Sequence, residues 1–587
     1  MNSTNARVFL WLGLVLALWL NYETWVKDYG PKPGEAPSTA VTATPGVDAS
    51  RLAASIPSSG APAAVANPAA NPAALAGAAP VAAPAAAAAP AAAPAATAAV
   101  SAVAAGGMVT VRTDVLEVDI ALTGGELQRA DLLVYPQVKG ERASVRLLNR
   151  DPQGFYVLQT GLAGPAGAAR PTHLASFTAQ AAQYTLDAGA DELRVPLAWA
   201  DPDAGVLVTK TFVFRRGQYR VDLEYEVRND SLTPFPVASY SQLLRDDLPI
   251  ERSMFNVETY AFKGPAYYDG TKYQKLDRED ADDRALARDI SGGWIAGMQH
   301  HFVTAVVPAD PAAYRYSLKT DGNQYLLSTA GPLQTVGPAT TVLIKERLFV
   351  GPKLQAQLET TGPRLDLVAD YGMLTLLAKP LFWLLEKAYE MVGNWGWSIV
   401  MITFLLKLVF YPLSETSGKS MAKMRVLAPR IKNLQDTYKD DREKLGKAMM
   451  EMYQREKINP LAGCLPILIQ MPVFFAFYWV LLESVEMRQA PFMGWIQDLS
   501  AKDPWFVLPI IMAIAMFIQY KLNPAPPDPI QAKVFMILPL VMSATFAFFP
   551  AGLVLYWVTN TVLSIAQQWN INRRIEAIAN KGRAAPA

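Results

Sequence analysis

The chain has 587 residues, of which 51% are hydrophobic and only 18% are charged, and its net charge is +1. This length exceeds a single domain, and the apolar content excludes a purely soluble protein. The near-zero net charge gives no electrostatic basis for nucleic-acid binding. The single cysteine, Cys464, excludes an intrachain disulfide, and His173, His300 and His301 form no helical pair, so we expect no metal site.

Residues 1–28 have the pattern of an uncleaved membrane anchor. Arg7 precedes an apolar run from Val8 to Leu20, and polar and aromatic residues such as Trp25 follow it. A cleaved signal peptide has small residues in that place, although the shortness of the run keeps cleavage as an alternative. Residues 29–107 are rich in Pro, Ala, Gly and Ser, which predicts a disordered tether because repeated prolines interrupt an alanine helix.

Residues 108–350 predict one large antiparallel β-sandwich. Apolar and polar residues alternate along 116–122 and along 219–228, and Val342 and Ile344 indicate another strand. Period-two alternation between glycine-rich turns is typical of half-buried strands. About 240 residues are enough to bury a core without disulfides.

Residues 351–393 predict a linker and an amphipathic helix. After Pro380, which we expect to divide the segment, apolar side chains between Leu381 and Val392 share one helical face, opposite Glu386 and Glu390. A helix of this kind lies in a membrane interface, and an ordinary surface helix is the alternative. The position directly before a membrane span favours the interface.

Five apolar segments follow, at 394–415, 461–483, 505–521, 534–549 and 550–569. Their length and hydrophobicity fit membrane-spanning helices. With the anchor they predict six spans, so the expected fold is a multi-pass α-helical membrane protein with an extracytoplasmic β-sandwich. Between and after them lie loops at 416–460, 484–504 and 522–533 and a tail at 570–587.

The charges of the loops orient the chain. Residues 416–460 carry 11 Lys or Arg residues, whereas 484–504 carry only two. The positive-inside rule therefore places 416–460 and the C-terminus in the cytoplasm. An even number of spans then places the N-terminus in the cytoplasm and the β-sandwich on the opposite side.

The 416–460 loop has a heptad-like apolar pattern on both sides of a turn at 439–441, which predicts a helical hairpin. Four methionines are its candidate contact residues: Met421, Met424, Met449 and Met452. They either form the seam of the hairpin, which is the simpler interpretation, or present an adaptable surface to a client.

A lysine, Lys407, lies inside the first apolar segment after the β-sandwich. A lysine at the centre of a membrane helix costs about 2.5–3.5 kcal/mol on insertion scales, so it needs water, a partner or a function. Thr403, Lys407 and Tyr411 are spaced four residues apart and share one face of a continuous helix. Snorkelling of Lys407 to the interface is the alternative to a functional role.

The last apolar segment carries a polar stripe, and the second carries an amide, Gln470. The stripe consists of Tyr556, Asn560, Ser564 and Gln567, with Thr559 at its border. Together with Lys407 these residues predict a hydrated, cationic cavity that attracts acidic or polar peptide segments. Three of the segments have only about 15–16 strongly apolar residues, or about 24 Å of helix, which predicts local thinning of the bilayer.

Four sequence motifs carry a resemblance to a known family: Met421-Ala-Lys-Met-Arg425, Asn459-Pro-Leu-Ala-Gly-Cys464-Leu-Pro-Ile-Leu-Ile-Gln470-Met-Pro472, Arg488-Gln-Ala-Pro-Phe492 and Phe549-Pro-Ala-Gly-Leu-Val-Leu-Tyr-Trp557. The chain resembles the YidC/Oxa/Alb family of membrane protein insertases. The motifs cover the five C-terminal spans, and the anchor, tether and β-domain match the Gram-negative form in organisation.

The resemblance implies a five-helix insertase core in the bacterial inner membrane, with a periplasmic supersandwich domain. Its groove opens to the cytoplasm and the lipid, and a cationic residue there contacts the polar segment of a client. Lys407 matches that position, where Gram-negative relatives have arginine; lysine keeps the charge but not the bidentate fork. The client helix leaves along Leu461–Leu482 and Val534–Phe549.

The resemblance further implies that the partners are nascent inner-membrane proteins, membrane lipids and the Sec translocon, and that the chain is not an enzyme. The short tail after Asn570 gives little support for ribosome binding. No nucleotide-binding loop is present, and we expect no cofactor. One alternative is a transporter or channel with Lys407 as substrate or counter-ion site, and another is an enzyme that uses His300 and His301; neither has a specific signature.

Overall fold

The computed structural model describes residues 50–58, 106–152, 154–165, 169–247, 261–438, 441–456, 465–522 and 529–584. The predicted N-terminal anchor, most of the predicted tether and Cys464 lie outside these ranges. The chain divides into a β unit, comprising Ala49–Ile250 and Phe262–Ala369, and a second unit that includes the helices of Asp370–Ala587.

Among its described residues the β unit contains three short α-helices, one 3-10 helix (Leu365–Ala369) and twenty strands. The helices are α1 (Ser50–Ala53), α2 (Ala281–Arg284) and α3 (Gln355–Thr361). The strands are β1 (Met108–Arg112), β2 (Leu116–Ala121), β3 (Glu126–Pro136), β4 (Ser144–Leu148), β5 (Tyr156–Ala163), β6 (Thr178–Ala179), β7 (Gln183–Thr185), β8 (Glu192–Asp201), β9 (Val206–Arg215), β10 (Arg220–Asn229), β11 (Phe235–Asp246), β12 (Gly264–Tyr268), β13 (Tyr273–Lys275), β14 (Ala287–Ser291), β15 (Trp294–Met298), β16 (Phe302–Pro308), β17 (Ala313–Asp321), β18 (Gln324–Ala330), β19 (Gln334–Val336) and β20 (Thr340–Pro352).

These strands form two sheets. The eleven-stranded sheet has the order β14-β17-β18-β11-β5-β3-β2-β1-β7, with β4 beside β3 and β19 beside β11. The nine-stranded sheet has the order β13-β12-β15-β16-β20-β10-β9-β8-β6. The pairing is antiparallel apart from β1 with β7, which is parallel. The predicted β-sandwich is therefore confirmed, and the alternating segments 116–122 and 219–228 coincide with β2 and β10.

The interior of the sandwich contains charged as well as apolar side chains. Lys210 on β9 is 0% exposed, and its Nζ donates to the carbonyl oxygens of Gly124, Gly125 and Thr160, each at 2.9 Å. Glu346 on β20 is also buried and accepts a hydrogen bond from the hydroxyl of Ser241. These bonds join the two sheets, because β9 and β20 belong to one and Thr160 and Ser241 to the other.

Each sheet ends in short strands. The nine-stranded sheet ends in β13 and β6, of three and two residues, and the eleven-stranded sheet ends in β7, of three residues, and β14, of five. Strand β14 is mostly exposed and places Arg288 and Asp289 at the edge. Short or charged edge strands offer little unpaired backbone to another chain.

The second unit contains eight helices among its described residues: α4 (Thr375–Val392), α5 (Trp395–Val409), α6 (Tyr411–Thr437), α7 (Arg442–Arg455), α8 (Leu465–Glu483), α9 (Val507–Leu522), α10 (Pro529–Phe546) and α11 (Ala551–Ala584). No one of them is both long and apolar enough to cross a membrane by itself. The pair Trp395–Val409 and Tyr411–Ser420 passes that test of length and composition together, with a bend of 65° between its halves.

Three helix boundaries in this unit differ from the segments expected from the sequence. The apolar segment 394–415 ends as a helix at Val409, because Phe410 caps α5 and Pro412 stands in the first turn of α6. The segments 550–569 and 570–587 belong to one helix, α11, up to Ala584. Pro380 does not divide its segment but lies inside α4, which ends where Gly393 adopts the left-handed φ of 68°.

Helix α4 is apolar on more than one side. Ala378, Leu381 and Leu385 are buried where it packs against α5 and α8. Leu376 and Met391 remain 86% and 79% exposed. Large apolar side chains exposed in this way indicate contact with a partner or with lipid.

Candidate functional site

The lysine of the predicted groove lies near the C-terminal end of α5. This helix begins at an N-cap, Asn394, whose side chain accepts a hydrogen bond from the Trp397 amide at 3.1 Å. Lys407 Nζ donates to Ser564 Oγ on α11 at 2.7 Å. Ser564 Oγ in turn donates to the Asn560 carbonyl oxygen at 2.7 Å. A short chain of hydrogen bonds thus joins the two helices.

The Lys407 ammonium makes no ion pair with any described residue. Glu415, the acidic residue nearest to it in sequence, pairs instead with Lys419 at 2.9 Å, one turn further along α6. The cation is therefore half-buried beside a neutral hydroxyl. A carboxylate brought to this place would form a charge-assisted hydrogen bond, which is stronger than the bond to the hydroxyl.

A small polar cavity of about 10 Å³ lies beside Lys407, which is room for about one water molecule. Helices α5, α8 and α11 all contribute to it. Its lining residues are Thr403, Leu406, Lys407, Phe410, Gln470, Val473, Tyr556 and Asn560. The structure thus brings together five of the predicted groove residues around one cavity.

Ser564 is hydrogen-bonded to Lys407 without lining the cavity, and the three remaining predicted groove residues lie elsewhere. Tyr411 begins α6 beyond the 65° bend, so the expected continuous face of Thr403, Lys407 and Tyr411 is wrong. Thr559 faces a different pocket. The Gln567 side-chain nitrogen is buried without a hydrogen-bond partner among the described residues.

Two of the cavity residues are held by local contacts. Thr403 is 1% exposed, and its hydroxyl donates to the Ile399 carbonyl oxygen at 2.6 Å. Tyr556 stacks on Phe477 of α8 with ring centroids 4.6 Å apart. The aromatic packing fixes α11 against α8, and the polar atoms of Lys407, Gln470 and Asn560 remain available to the cavity.

A larger apolar pocket of about 360 Å³ lies between α4, α5 and α11. Its lining residues are Val392, Trp397, Val400, Met401, Phe404, Thr559 and Leu563. Sequence reasoning missed this pocket, although the spacing of Trp397, Val400, Met401 and Phe404 marks one apolar face of α5. The apolar side chains that line this pocket suit an apolar helix face or an acyl chain as a ligand.

Helices α6 and α7 form the predicted hairpin. Leu427 and Tyr453 are buried in its seam, and Met424, Met449 and Met452 pack against them. The side chain of Met421 lies outside the described residues. Among the described residues no group of three or more His, Cys, Asp or Glu side chains is placed to hold a metal ion.

Comparisons with known proteins cover nearly the whole chain. A family model described as 60Kd inner membrane protein matches residues 387–579, and one described as YidC periplasmic domain matches residues 108–384. A Thioalkalivibrio sulfidiphilus protein named membrane protein insertase YidC is 45% identical over 98% of this chain and 100% of its own. A Nitrosococcus oceani protein of the same name is 41% identical over 97% of this chain and 99% of its own.

Among solved structures, a crystal structure of active YidC insertase with its first transmembrane domain resolved matches with a TM-score of 0.35. It is 17% identical and covers 79% of this chain and 94% of its own. The two family models together span both described units of the chain, and the two relatives match it from end to end. The chain therefore belongs to the YidC family of membrane protein insertases.

Proposed function

We propose that the protein inserts other proteins into the bacterial inner membrane and helps them fold there, without catalysing a chemical reaction. The observation that carries the proposal is Lys407, a half-buried cation whose hydrogen-bond partner is the Ser564 hydroxyl at 2.7 Å. Such a cation favours an approaching carboxylate over its present neutral partner. The family relationship supports the same function.

The proposal assigns the tail and the apolar helix of a client to different parts of the helical unit. The acidic or polar tail of the client replaces Ser564 as the partner of Lys407, and the cavity of about 10 Å³ has to widen to admit it. The apolar client helix leaves along α8 and α10 towards lipid. Exposed apolar residues on both helices support this path, among them Phe475, Val534, Leu540 and Val541.

The membrane arrangement is also part of the proposal. Six spans consist of the N-terminal anchor and the apolar helices of the second unit, with both termini cytoplasmic and the β unit periplasmic. Helices α5, α8, α9 and α10 have 15, 19, 16 and 18 residues. At 1.5 Å per residue they are about 22–28 Å long, which is shorter than a hydrocarbon core of about 30 Å and supports local thinning.

The partners follow from this assignment. Nascent inner-membrane proteins are the clients, the Sec translocon delivers some of them, and lipids surround the helices. The short basic tail supports ribosome binding only weakly.

Client insertion into liposomes that hold this protein alone tests the proposal. The client has one span and an acidic N-terminal tail, and the variants are Lys407→Ala, Lys407→Glu and Lys407→Arg. Because a hydrogen bond to a charged group contributes about 1.5–3 kcal/mol, we expect Ala and Glu to slow insertion about tenfold or more and Arg to restore it.

Two controls make this test specific. Lys387→Ala removes an exposed lysine of α4 that pairs with Glu390, and should leave insertion unchanged. A client whose tail carboxylates are replaced by amides should lose its dependence on Lys407. Equal insertion by all Lys407 variants would refute the groove mechanism, and counterflow of a small solute through the same liposomes would favour a transporter.

A further inference from the structure

A short piece of the predicted tether has a defined place in the β unit. Residues 50–58 begin with the single helical turn α1, which contacts β17 and β18. Leu52 is 8% exposed and Pro57 is buried, although this tether was predicted to be disordered. The segment therefore has its own binding place on the eleven-stranded sheet.

The apolar part of this place is a row of three side chains on neighbouring strands. Val157 on β5 is the cross-strand partner of Leu244 on β11, and Leu244 is the partner of Leu326 on β18. Leu52 packs against all three in one buried cluster. Cross-strand neighbours on one face of a sheet form a continuous surface. Leu52 is the buried residue of the segment that covers it, and the partly buried Ala53 and Phe155 also pack against the cluster.

Polar side chains of the β unit beside this apolar row contact the main chain of the segment. His173 Nε2 lies 2.7 Å from the Ala53 carbonyl oxygen, and Gln242 Nε2 donates to the Ser55 carbonyl oxygen at 3.1 Å. Lys319 Nζ donates to Ser55 Oγ at 2.7 Å. Two side chains thus bind carbonyl oxygens, which every peptide has, and the leucine supplies the selectivity.

The side chains that bind the segment are themselves held in position. Gln242 Nε2 also donates to Gln159 Oε1 at 2.7 Å, and Gln159 donates to Glu126 at 2.8 Å. His173 Nδ1 lies 2.6 Å from the Tyr240 hydroxyl. A neutral imidazole with its proton on Nε2 satisfies both contacts, since it donates to Ala53 and accepts from Tyr240. Burial lowers the pKa of His173, which favours this neutral form.

We propose that the outer face of β5, β11 and β18 is a peptide-binding site and that residues 50–58 are its ligand within the same chain. The site recognises a leucine followed by two accessible carbonyl oxygens. Because Gln242 and His173 are fixed by their own hydrogen bonds, binding does not have to order them.

Docking of the segment changes the reach of the tether. The whole stretch 29–107 could extend at most about 280 Å, whereas the 21 residues of 29–49 could extend at most about 75 Å. Docking at 50–58 therefore shortens the longest possible connection between the predicted anchor and the β unit from the first of these lengths to the second. This site lies in the β unit and shares no residue with the cavity beside Lys407.

Limited proteolysis of the full chain in nanodiscs tests the proposal. Between Lys32, which precedes a proline, and Arg112, the only trypsin site is the bond from Arg51 to Leu52. That bond lies inside α1 and is protected while the segment is docked, because proteolysis requires local unfolding. We expect Leu52→Ser to accelerate this cleavage about tenfold or more, as measured by the peptide that begins at residue 52.

Two further variants separate docking from general effects. Ile56→Ser alters a 40% exposed side chain of the same segment and should leave the cleavage rate unchanged. Gln242→Leu removes a donor from the site without altering the segment and should accelerate cleavage. Cleavage of the unaltered chain as fast as that of Leu52→Ser, or equal acceleration by Ile56→Ser, would overturn the proposal.

Discussion

The β unit and the helical unit each contain a lysine withdrawn from water, and the surroundings of the two differ. Lys210 has three carbonyl acceptors at 2.9 Å and lies near the rings of Phe212 and Tyr225. Burial lowers the pKa of Lys210 to about 7, and the nearby Glu346 offsets part of this effect. Lys407 has one hydroxyl partner and a cavity beside it. A cation whose donors are all engaged contributes to the structure, whereas one with donors to spare can bind something else.

The difference follows from the position of each lysine in its fold. Lys210 lies between two sheets, where it joins the turn at Gly124 and Gly125 to strand β5. Lys407 lies at the end of a helix, next to the bend before α6, where the packing leaves a gap. Burial alone therefore does not separate a structural lysine from a candidate binding lysine, whereas the two lysines do differ in the number of their hydrogen-bond partners.

Replacement of Lys210 is expected to have the largest effect. Lys210→Met leaves three carbonyl oxygens without a donor and Glu346 without its compensating charge, so the β unit should lose about 3–5 kcal/mol of unfolding free energy. Hydrogen exchange of the strands in urea measures this loss. Lys345→Met, which removes an exposed lysine paired with Glu224, is the control and should cost less than about 1 kcal/mol.

A loss below about 1 kcal/mol for Lys210→Met would contradict the structural role. The two lysines would then contribute similarly to the free energy of unfolding. The number of hydrogen-bond partners would not distinguish a structural lysine from the other one.

Replacement of Lys407 should have a much smaller effect on folding. Lys407→Leu removes one hydrogen bond and adds apolar surface to an apolar helix, so stability should change by less than about 1 kcal/mol. Ser564 keeps its bond to the Asn560 carbonyl oxygen. Thermal unfolding in detergent measures the stability, and the same sample should fail to insert the acidic client. A destabilisation as large as that of Lys210→Met would assign Lys407 a structural role.

The smallest expected effect is a pH dependence at His173 in the β unit. Burial lowers the pKa of His173 below its ordinary value of 6.5, so the unfolded chain binds this proton more readily than the folded one. Stability should therefore fall as the pH drops below about 6.5. His173→Gln can keep both hydrogen bonds and should flatten the unfolding profile between pH 5 and 7. Identical profiles would exclude this contribution.

Much of the fold could be predicted from periodicity. The alternation along β10 and the apolar stripes of α6 and α7 identified strands and a hairpin, because burial of one face imposes a period on the sequence. The same periodicity predicts that Lys210 is buried, because it shares one face of β9 with Val206, Val208, Phe212 and Phe214. Glu346 likewise lies on the same face of β20 as Ile344 and Leu348. A pattern search that considers only apolar residues does not find Lys210 or Glu346.

The grouping of side chains around Lys407 was predicted in part. Tyr556, Asn560 and Ser564 share the face of α11 that meets Lys407, because four-residue spacing holds along a continuous helix. Tyr411 does not share the face of Lys407, because it lies beyond a bend that a local pattern does not reveal. The sequence also contains an indication of the docked segment, since Leu52 and Ile56 are large apolar residues in a stretch dominated by alanine and proline. Its binding site, however, consists of residues from β5, β11 and β18, and only the tertiary fold brings them together.

The short, charged edges of the two sheets have a consequence for a protein that handles unfinished chains. An unfolded polypeptide near the β unit carries many unpaired amide and carbonyl groups and adds readily to any long open strand. The strands β6, β7 and β13 are too short to serve as templates, and β14 offers Arg288 and Asp289. An unfolded chain that reaches the β unit therefore finds little open strand to join.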